Sequence, residues 1–121
     1  MTTHGHHLRE ITPDELHEML TEHKVILIDV REPDEFAAAR IHGALLAPLS
    51  NFEPLALPQD PTQPVVLQCG SGKRSAIAAA HCANADVAVA GHLSGGIAAW
   101  MRAGLRTVTL DPATGKVVDR K

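Results

Sequence analysis

The stretch of this sequence with the clearest chemistry is Cys-Gly-Ser-Gly-Lys-Arg-Ser, at residues 69–75. Its two glycines allow backbone conformations in which successive N–H groups point into one concavity. A helix beginning at Lys73 would direct its free N–H groups to the same place, and Lys73 and Arg74 add positive charge. Such surroundings stabilise a thiolate and attract a small dianion. The segment predicts a nucleophilic Cys69 of lowered pKa on a surface-facing loop, with an inert core cysteine beside a tight turn as the alternative.

Strands and helices alternate on both sides of this loop. Unbroken apolar runs predict strands buried on both faces at Val25–Ile28, Pro64–Gln68 and Asp86–Ala90. Helices are expected from Thr12, which begins a capping box with Glu15, from Glu32 to Ala39, from Lys73 to Ala85 and from Ile97 to Ala103. The alternation predicts an α/β fold with a mainly parallel sheet and helices on both faces. Cys69 directly follows the second strand, and ligands of such sheets bind beyond the carboxyl ends of strands.

The remaining segments predict shorter elements. Residues 41–47 should hold a short strand, and the proline-rich residues 48–64 a loop with at most a short helix near Ser50–Leu55. Thr107–Leu110 and Lys116–Val118 predict a C-terminal hairpin, because proline and glycine stand between them. The chain is expected to divide into a flexible N-terminus (1–10), a folded domain (11–108) and a C-terminal tail (109–121).

Length and composition exclude several classes of protein. A chain of 121 residues is one domain at about 100–200 residues per domain. Apolar residues make up 45% and charged residues 21%, which are ordinary globular values. The net charge of −3 provides no basic field for nucleic acid. No apolar run approaches the roughly 18 residues of a membrane span, and no secretory signal is visible, so we expect a cytoplasmic protein that binds neither membrane nor nucleic acid.

The N-terminal segment Thr3–His7 is rich in histidine. It could bind a metal ion or could be a floppy terminus. We favour the terminus because no carboxylate or thiol ligand accompanies these histidines. We therefore expect no metal and no cofactor.

Four motifs in this order resemble those of rhodanese domains. They are Asp-Val-Arg-Glu at 29–32, Ile-His-Gly-Ala at 41–44, the loop Cys-x-x-Gly-x-Arg-Ser at 69–75, and Gly-Gly-Ile-Ala-Ala-Trp at 95–100 followed by Ala-Gly-Leu at 103–105. The resemblance spans roughly Ile11 to Val108. It implies the three-layer rhodanese fold.

The resemblance also implies sulfurtransferase activity without a cofactor. Cys69 would take the outer sulfur of a donor such as thiosulfate as a persulfide and pass it to cyanide, a thiol or a protein acceptor, in two covalent steps. The implied substrate-binding residues are Gly70, Ser71, Gly72, Lys73, Arg74 and Ser75, and the implied structural signature is Asp29, Arg31, Gly43 and Trp100. The alternative is a non-catalytic sulfur-relay or protein-interaction module with negligible thiosulfate turnover.

The length of the loop narrows the substrate class. The spacing is Cys-x4-Arg, whereas the related phosphatases and arsenate reductases use Cys-x5-Arg around a tetrahedral oxyanion. The shorter loop should suit a sulfane sulfur better than a phosphate. Glu35 stands where tandem-domain sulfurtransferases carry a donor-binding arginine, while Cys-Gly-Ser-Gly resembles the mercaptopyruvate sulfurtransferases. Residues 44–58 resemble the soluble part of membrane-anchored rhodaneses, which implies either a free-standing relative of these proteins or the soluble part of one.

Structural roles are expected for several other polar or aromatic residues. Asp29 and Arg31 should fix a strand-to-helix turn by hydrogen bonds rather than act as an acid and a charge clamp. His42 and His92 flank glycines near strand ends and are expected on surface loops, with an acid–base role at the mouth of the site as the alternative. Trp100 has apolar neighbours and should belong to the core.

The second cysteine is expected to be structural. Cys82 lies on the helix that leaves the loop, among small apolar residues, which is typical of a buried thiol. A resolving cysteine is the alternative. We disfavour it because thirteen residues of helix would separate Cys82 from Cys69 by roughly 20 Å, beyond the reach of a disulfide.

Overall fold

The computed structural model describes residues 8–110, 113–115 and 117–120. Within these ranges the α-helices are α1 (Pro13–Thr21), α2 (Pro33–Ala38), α3 (Lys73–Asn84) and α4 (Gly96–Arg102). The strands are β1 (Glu10–Ile11), β2 (Ile26–Asp29), β3 (Ala39–Arg40), β4 (Leu45–Leu46), β5 (Val65–Gln68), β6 (Gly91–Leu93), β7 (Thr107–Leu110) and β8 (Val117–Arg120).

Five parallel strands form the central sheet in the order β1-β6-β5-β2-β4. Helices α1 and α4 cover one face, where Leu16, Ile97 and Trp100 are buried. Helix α3 covers the other face with Ala78 and Cys82. Because β5 is buried on both faces, its sequence is an unbroken apolar run up to its last residue. The predicted α/β fold, a mainly parallel sheet between layers of helices, is confirmed.

The order of the strands creates a crevice at the carboxyl edge of the sheet. From β2 the chain crosses to β4 on one side, and it then returns to β5 on the other side of β2. Connections that leave neighbouring strands in opposite directions open a binding crevice between them. The two loops that border this crevice begin at Val30, after β2, and at Cys69, after β5.

The start of the fold agrees closely with the sequence. The predicted capping box of α1 is present: the Glu15 N–H donates to Thr12 Oγ1 over 3.1 Å, and the Thr12 N–H donates to Glu15 Oε1 over 3.0 Å. Strand β1 begins at Glu10, one residue before the expected start of folded structure at Ile11. The Glu10 carboxylate contacts His92, which lies near Cys69.

The strand predicted at Asp86–Ala90 is wrong. Val87 is buried and its N–H donates to the Cys82 carbonyl over 2.8 Å, so this segment packs against the end of α3. The strand that pairs with β1 and β5 is β6, which starts at Gly91. Gly91 permits the close approach of β1, because a Cβ at this position would lie 2.6 Å from the Arg9 carbonyl oxygen.

Two other segments, for which the sequence predicts only short elements, hold short elements in the structure. Within residues 41–47 only β4 is a strand, because Ile41–Ala44 forms a turn in which Gly43 adopts φ +88°. Near Ser50–Leu55 the chain forms two single 3-10 turns, Leu49–Asn51 and Pro54–Ala56, which agrees with a loop that holds at most a short helix. Proline lacks the N–H donor that a continuous helix would need there.

The predicted C-terminal hairpin is present. Strands β7 and β8 pair antiparallel, and β3 pairs with β7 to complete a second, three-stranded sheet. Asp111, Pro112 and Lys116 of the expected turn region lie outside the described residues, as does the histidine-rich segment Thr3–His7. No helix in the described ranges has the length and apolarity needed to cross a membrane.

Candidate active site

The Cys69 sulfur lies at the start of α3. The Gly72 N–H donates to Sγ over 3.0 Å. Gly72 is the N-cap residue of α3, adopts φ +106° and has no side chain to accept the free N–H groups of the first turn. The sulfur of Cys69 therefore acts as the capping acceptor. The local sequence predicts this arrangement, since a glycine loop leads from β5 directly into the helix.

The burial of the sulfur corrects one expectation. We expected a surface-facing loop, but Cys69 is 0% exposed, while Ser71 and Lys73 on the same loop are exposed. Successive residues of a strand point to opposite faces, so Cys69 follows Val65 and Leu67 onto the face covered by α3. The sulfur of Cys69 therefore lies enclosed by the loop of residues 69–75. We call this enclosure the cradle, and the loop forms its wall.

The pKa of Cys69 is lowered, in the predicted direction. Burial raises the pKa of the thiol, but hydrogen bonds from the Ser75 hydroxyl and from the N–H groups of Ser75, Gly72 and Ser71 outweigh it. The predicted cause is only partly right. Hydroxyl and amide donors make the largest contributions, and the predicted effect of Arg74 is a smaller electrostatic interaction with Cys69.

Ser75 is fully buried beside the sulfur. Its Oγ lies 3.5 Å from Cys69 Sγ, 2.7 Å from His92 Nδ1 and 3.2 Å from the Gly72 carbonyl oxygen. On the far side of the imidazole, His92 Nε2 lies 2.7 Å from Glu10 Oε2. A continuous row of side chains therefore joins Cys69 to Glu10.

The position of His92 overturns the expected surface loop, since this residue is only 4% exposed. It lies in β6, one strand away from the Cys69 loop, and is register partner of Glu10 in β1. Its ring reaches toward Ser75 from there. In the sequence, the signal for a role of His92 at the site was only a histidine next to an apolar run. Because the third strand was predicted at Asp86–Ala90, the pairing of His92 with Glu10 was not predicted.

Arg74 is held by a carboxylate. Its guanidinium makes two hydrogen bonds to Glu35 of α2, at 2.6 and 3.0 Å. The pair lowers the pKa of Glu35 to about 2, chiefly through the Arg74 hydrogen bonds, against a smaller effect of burial. Arg74 thus links the Cys69 loop to α2 across the crevice. Lys73 lies exposed on the loop.

The start of α4 forms the other wall of the cradle. The Ile97 and Ala98 N–H groups donate to the carbonyls of Cys69 and Gly70, over 2.8 and 3.1 Å. Gly96 adopts φ +65°, and a Cβ there would lie 2.4 Å from the Gly70 carbonyl group. The motif at residues 95–100 therefore works by letting α4 touch the loop backbone.

The four signature residues occupy different places. Asp29 and Arg31 form a buried pair, in which Arg31 donates to Asp29 over 2.8 Å and to the Ala39 carbonyl over 2.6 Å. This supports the expected bracing of the turn after β2. Trp100 is buried in the core and its Nε1 donates to the Arg106 carbonyl over 2.8 Å. Gly43 occupies an exposed turn.

The remaining two candidates lie away from the sulfur. Cys82 is a free, fully buried thiol, and burial raises its pKa to about 11. This supports the structural interpretation. His42 is exposed and lines a separate cleft of about 630 Å³ with His17 and Trp100. In the described part of the chain, no group of three or more His, Cys, Asp or Glu side chains could hold a metal ion.

Known proteins share this architecture. The family described as Rhodanese-like domain matches residues 12–103. A "Sulfurtransferase" from Allochromatium vinosum is 35% identical over 103 residues, which cover 84% of this chain and 95% of that protein. An uncharacterized protein from Synechocystis, slr1261, is 43% identical over 98 residues, 81% of this chain, and the chain spans 55% of that protein's length.

A solved structure agrees with the sequence comparison. The crystal structure of a rhodanese-related protein from Thermoplasma volcanium superposes with a TM-score of 0.70 at 25% identity, over 91% of this chain and 97% of that one. The match over residues 12–103 includes the Cys69 loop, the Asp29–Arg31 pair and the start of α4. The chain therefore belongs to the rhodanese-like domain family, which includes sulfurtransferases.

Proposed function

We propose that the chain is a sulfurtransferase that moves a sulfane sulfur from thiosulfate, or a similar donor, to a thiophilic acceptor through a persulfide on Cys69. The observation that carries the proposal is the cradle around Sγ. Gly72 donates an N–H over 3.0 Å, and the Ser75 hydroxyl and amide and the Ser71 amide add further hydrogen bonds. Such a cradle stabilises a thiolate, and it would stabilise a persulfide anion in the same way.

The reaction has two covalent steps. In the first, the Cys69 thiolate attacks the outer sulfur of thiosulfate, an S–S bond forms, and sulfite leaves with the electron pair of the broken S–S bond. In the second, the acceptor nucleophile attacks the outer sulfur of the persulfide, and the Cys69 thiolate leaves. With cyanide as acceptor the product is thiocyanate. No net oxidant or reductant is required.

The size of the cradle favours sulfur over phosphate. The wall between Cys69 and Arg74 has only four residues, and contacts of α4 with the carbonyls of Cys69 and Gly70 hold it closed. A phosphoryl group must place three equatorial oxygens around its phosphorus in line with the sulfur. Misplacement by about 1 Å can cost about a hundredfold in rate. Thiosulfate needs only its terminal sulfur inside, with the sulfonate outside near Lys73.

The experiment measures thiocyanate formation from thiosulfate and cyanide. Mass spectrometry after incubation with thiosulfate alone should find a peptide with Cys69 heavier by about 32 Da, the mass of one sulfur atom. Cys69→Ser should lose both signals. Its hydroxyl can still accept the Gly72 N–H, so the variant is expected to fold. Aryl phosphate hydrolysis that depends on Cys69, with thiosulfate inert, would contradict the proposal.

A sulfur relay to one protein acceptor is the second candidate. The burial of Cys69 favours this candidate, because a closed cradle slows the access of small donors from solution to the sulfur. In that case the Cys69 persulfide still forms, but thiocyanate release is negligible.

The two free cysteines suit a reducing compartment, which supports the expected cytoplasmic location.

A further inference from the structure

His92 is a buried titratable side chain that has no role in the persulfide reaction as written above. His92 lies inside the molecule with both ring nitrogens in short contacts, Nδ1 at 2.7 Å from Ser75 Oγ and Nε2 at 2.7 Å from Glu10 Oε2. Ser75 in turn lies against the Cys69 sulfur. A histidine is the side chain best suited to exchange protons at neutral pH.

We propose that Ser75, His92 and Glu10 form a proton relay that removes the proton from the Cys69 thiol, with His92 as the residue that holds it. The inference rests on the proposed function in that Cys69 is taken as the nucleophile. His92 does not touch the sulfur. It acts through Ser75 and is therefore a positioning residue that also stores a proton.

The hydrogen-bond pattern defines the direction of the relay. An ionised Glu10 carboxylate can only accept, so His92 Nε2 carries a hydrogen toward it. In a neutral imidazole, Nδ1 is then the acceptor, and the Ser75 hydroxyl donates to it. The other acceptor within reach, the Gly72 carbonyl, is farther away at 3.2 Å. This leaves a lone pair of Ser75 Oγ free to receive the thiol hydrogen.

The transfer is a concerted movement of two hydrogens. The Cys69 thiol proton moves to Ser75 Oγ while the original Ser75 hydrogen moves to His92 Nδ1. The products are a thiolate and an imidazolium ion, and no electrons are gained or lost. The imidazolium donates to Ser75 on one side and to the Glu10 carboxylate on the other. The Ser75 hydroxyl then donates to the thiolate.

The burial of the sulfur is the reason that a relay is needed. Cys69 and Ser75 are 0% exposed, His92 is 4% exposed, and the Glu10 side chain is 60% exposed. The row of side chains therefore runs from the closed cradle to the protein surface. It provides a path by which the thiol proton can reach solvent while the cradle stays closed.

Among the described residues, Glu10 of β1 is the titratable group in contact with His92, and Cys69 is joined to His92 through Ser75. Glu10 also accepts a hydrogen bond from Ser94. Arg74 of α3 interacts electrostatically with Cys69 but is paired with Glu35. The Glu10 carboxylate lies 2.7 Å from His92 Nε2 and opposes the positive charge that the transferred proton would bring to the ring.

The test measures iodoacetamide alkylation of Cys69 against pH, in a Cys82→Ala background so that a single thiol reports. His92→Gln should raise the midpoint of the alkylation profile by about one pH unit, which is about a tenfold loss of rate at pH values well below both midpoints. Glu10→Gln should lower that rate by a smaller factor, about threefold. The alkaline plateau should stay unchanged in both. His42→Gln, at an exposed histidine, is the matched control and should match the parent throughout.

The result that would overturn the relay is a folded His92→Gln protein with an unchanged midpoint. A merely structural role for His92 would lower the alkaline plateau instead. If His92→Gln fails to fold, nitrogen NMR of the His92 ring in the parent decides. The ring must titrate differently in Cys69→Ser, and identical titration refutes the coupling. These measurements use no sulfur donor, so a failure of thiosulfate turnover would refute the proposed function and leave the relay standing.

Discussion

Two cysteines belong to the same helix region and the same core cluster, yet their environments have opposite effects. Cys69 and Cys82 are both 0% exposed, and burial raises the pKa of each thiol. For Cys82 nothing offsets burial, and its pKa rises to about 11. For Cys69 the donors at the start of α3 reverse the direction.

The difference comes from the direction of the helix. The first N–H groups of α3 have no carbonyl partners within the helix, so they are free to donate to the sulfur placed before them. Cys82 lies in the last turns of the same helix, where the N–H groups are already used by the backbone. A buried cysteine is therefore reactive or inert according to the helix end that it faces.

The largest expected effect is the selectivity of alkylation between the two thiols. At neutral pH in the folded protein, iodoacetamide should modify Cys69 at least about a hundredfold faster than Cys82, because the thiolate is the nucleophile. Peptide mapping after timed quenching measures both rates. In urea the two rates should become equal. Equal rates in the folded protein would abolish the contrast.

Displacing the loop of residues 69–75 should lower the reactivity of the Cys69 thiol. In Gly96→Ala the new Cβ would collide with the Gly70 carbonyl, so the amides move away from the sulfur. We expect sulfur transfer to fall by about ten- to a hundredfold, since about 1 Å of misplacement is enough. Gly104→Ala is the matched control, because Gly104 also has a positive φ, of +79°, but open space around its Cβ position. Equal losses would point to backbone strain alone.

Cys82 should affect alkaline stability and not turnover. The folded chain keeps the Cys82 proton up to about pH 11, whereas the unfolded chain releases it near 9.0. The unfolded state therefore loses its proton first, and the free energy of unfolding falls as pH rises between these values. Cys82→Ala should escape this loss, on the order of 2 kcal/mol. Urea unfolding at pH 8 and 11 under reducing conditions measures it, and turnover should stay within about twofold of the parent.

The smallest expected effect is that of Arg74, paired with Glu35, on the pKa of Cys69. Because hydrogen bonds and not Arg74 dominate the lowered pKa of Cys69, Glu35→Gln should shift the alkylation midpoint by less than about 0.3 pH unit. The pKa of Glu35 is depressed, so its pair with Arg74 stabilises the fold above about pH 4.5 and loses that effect as pH falls toward about 2. The pair is a third exposed, so this contribution stays below about 1 kcal/mol. A large midpoint shift would make Arg74 the main cause.

The signals that succeeded in the sequence were local. A thiol, two glycines and a following helix are consecutive in the chain, so the contact of the Gly72 N–H with Cys69 could be predicted from residues 69–75 alone. The same is true of the Thr12–Glu15 capping box, and of the alternation of apolar runs with helices that defines the parallel sheet. Each depends on backbone geometry over a few residues.

The tertiary structure decided everything that depends on pairing between distant segments. An apolar composition at Asp86–Ala90 fits a buried strand as well as a segment that buries only Val87 at the end of α3, so it could not distinguish the two. The register of β1 with β6 then brought Glu10 beside His92, although 81 residues separate them in the sequence. Likewise, Glu35 met Arg74 only because β2 and β5 are neighbours. The hydrogen bonds to the Cys69 sulfur come from residues next to it in the sequence. Glu35, which pairs with Arg74, and Glu10, which contacts His92, reach their partners only through the order and register of the strands.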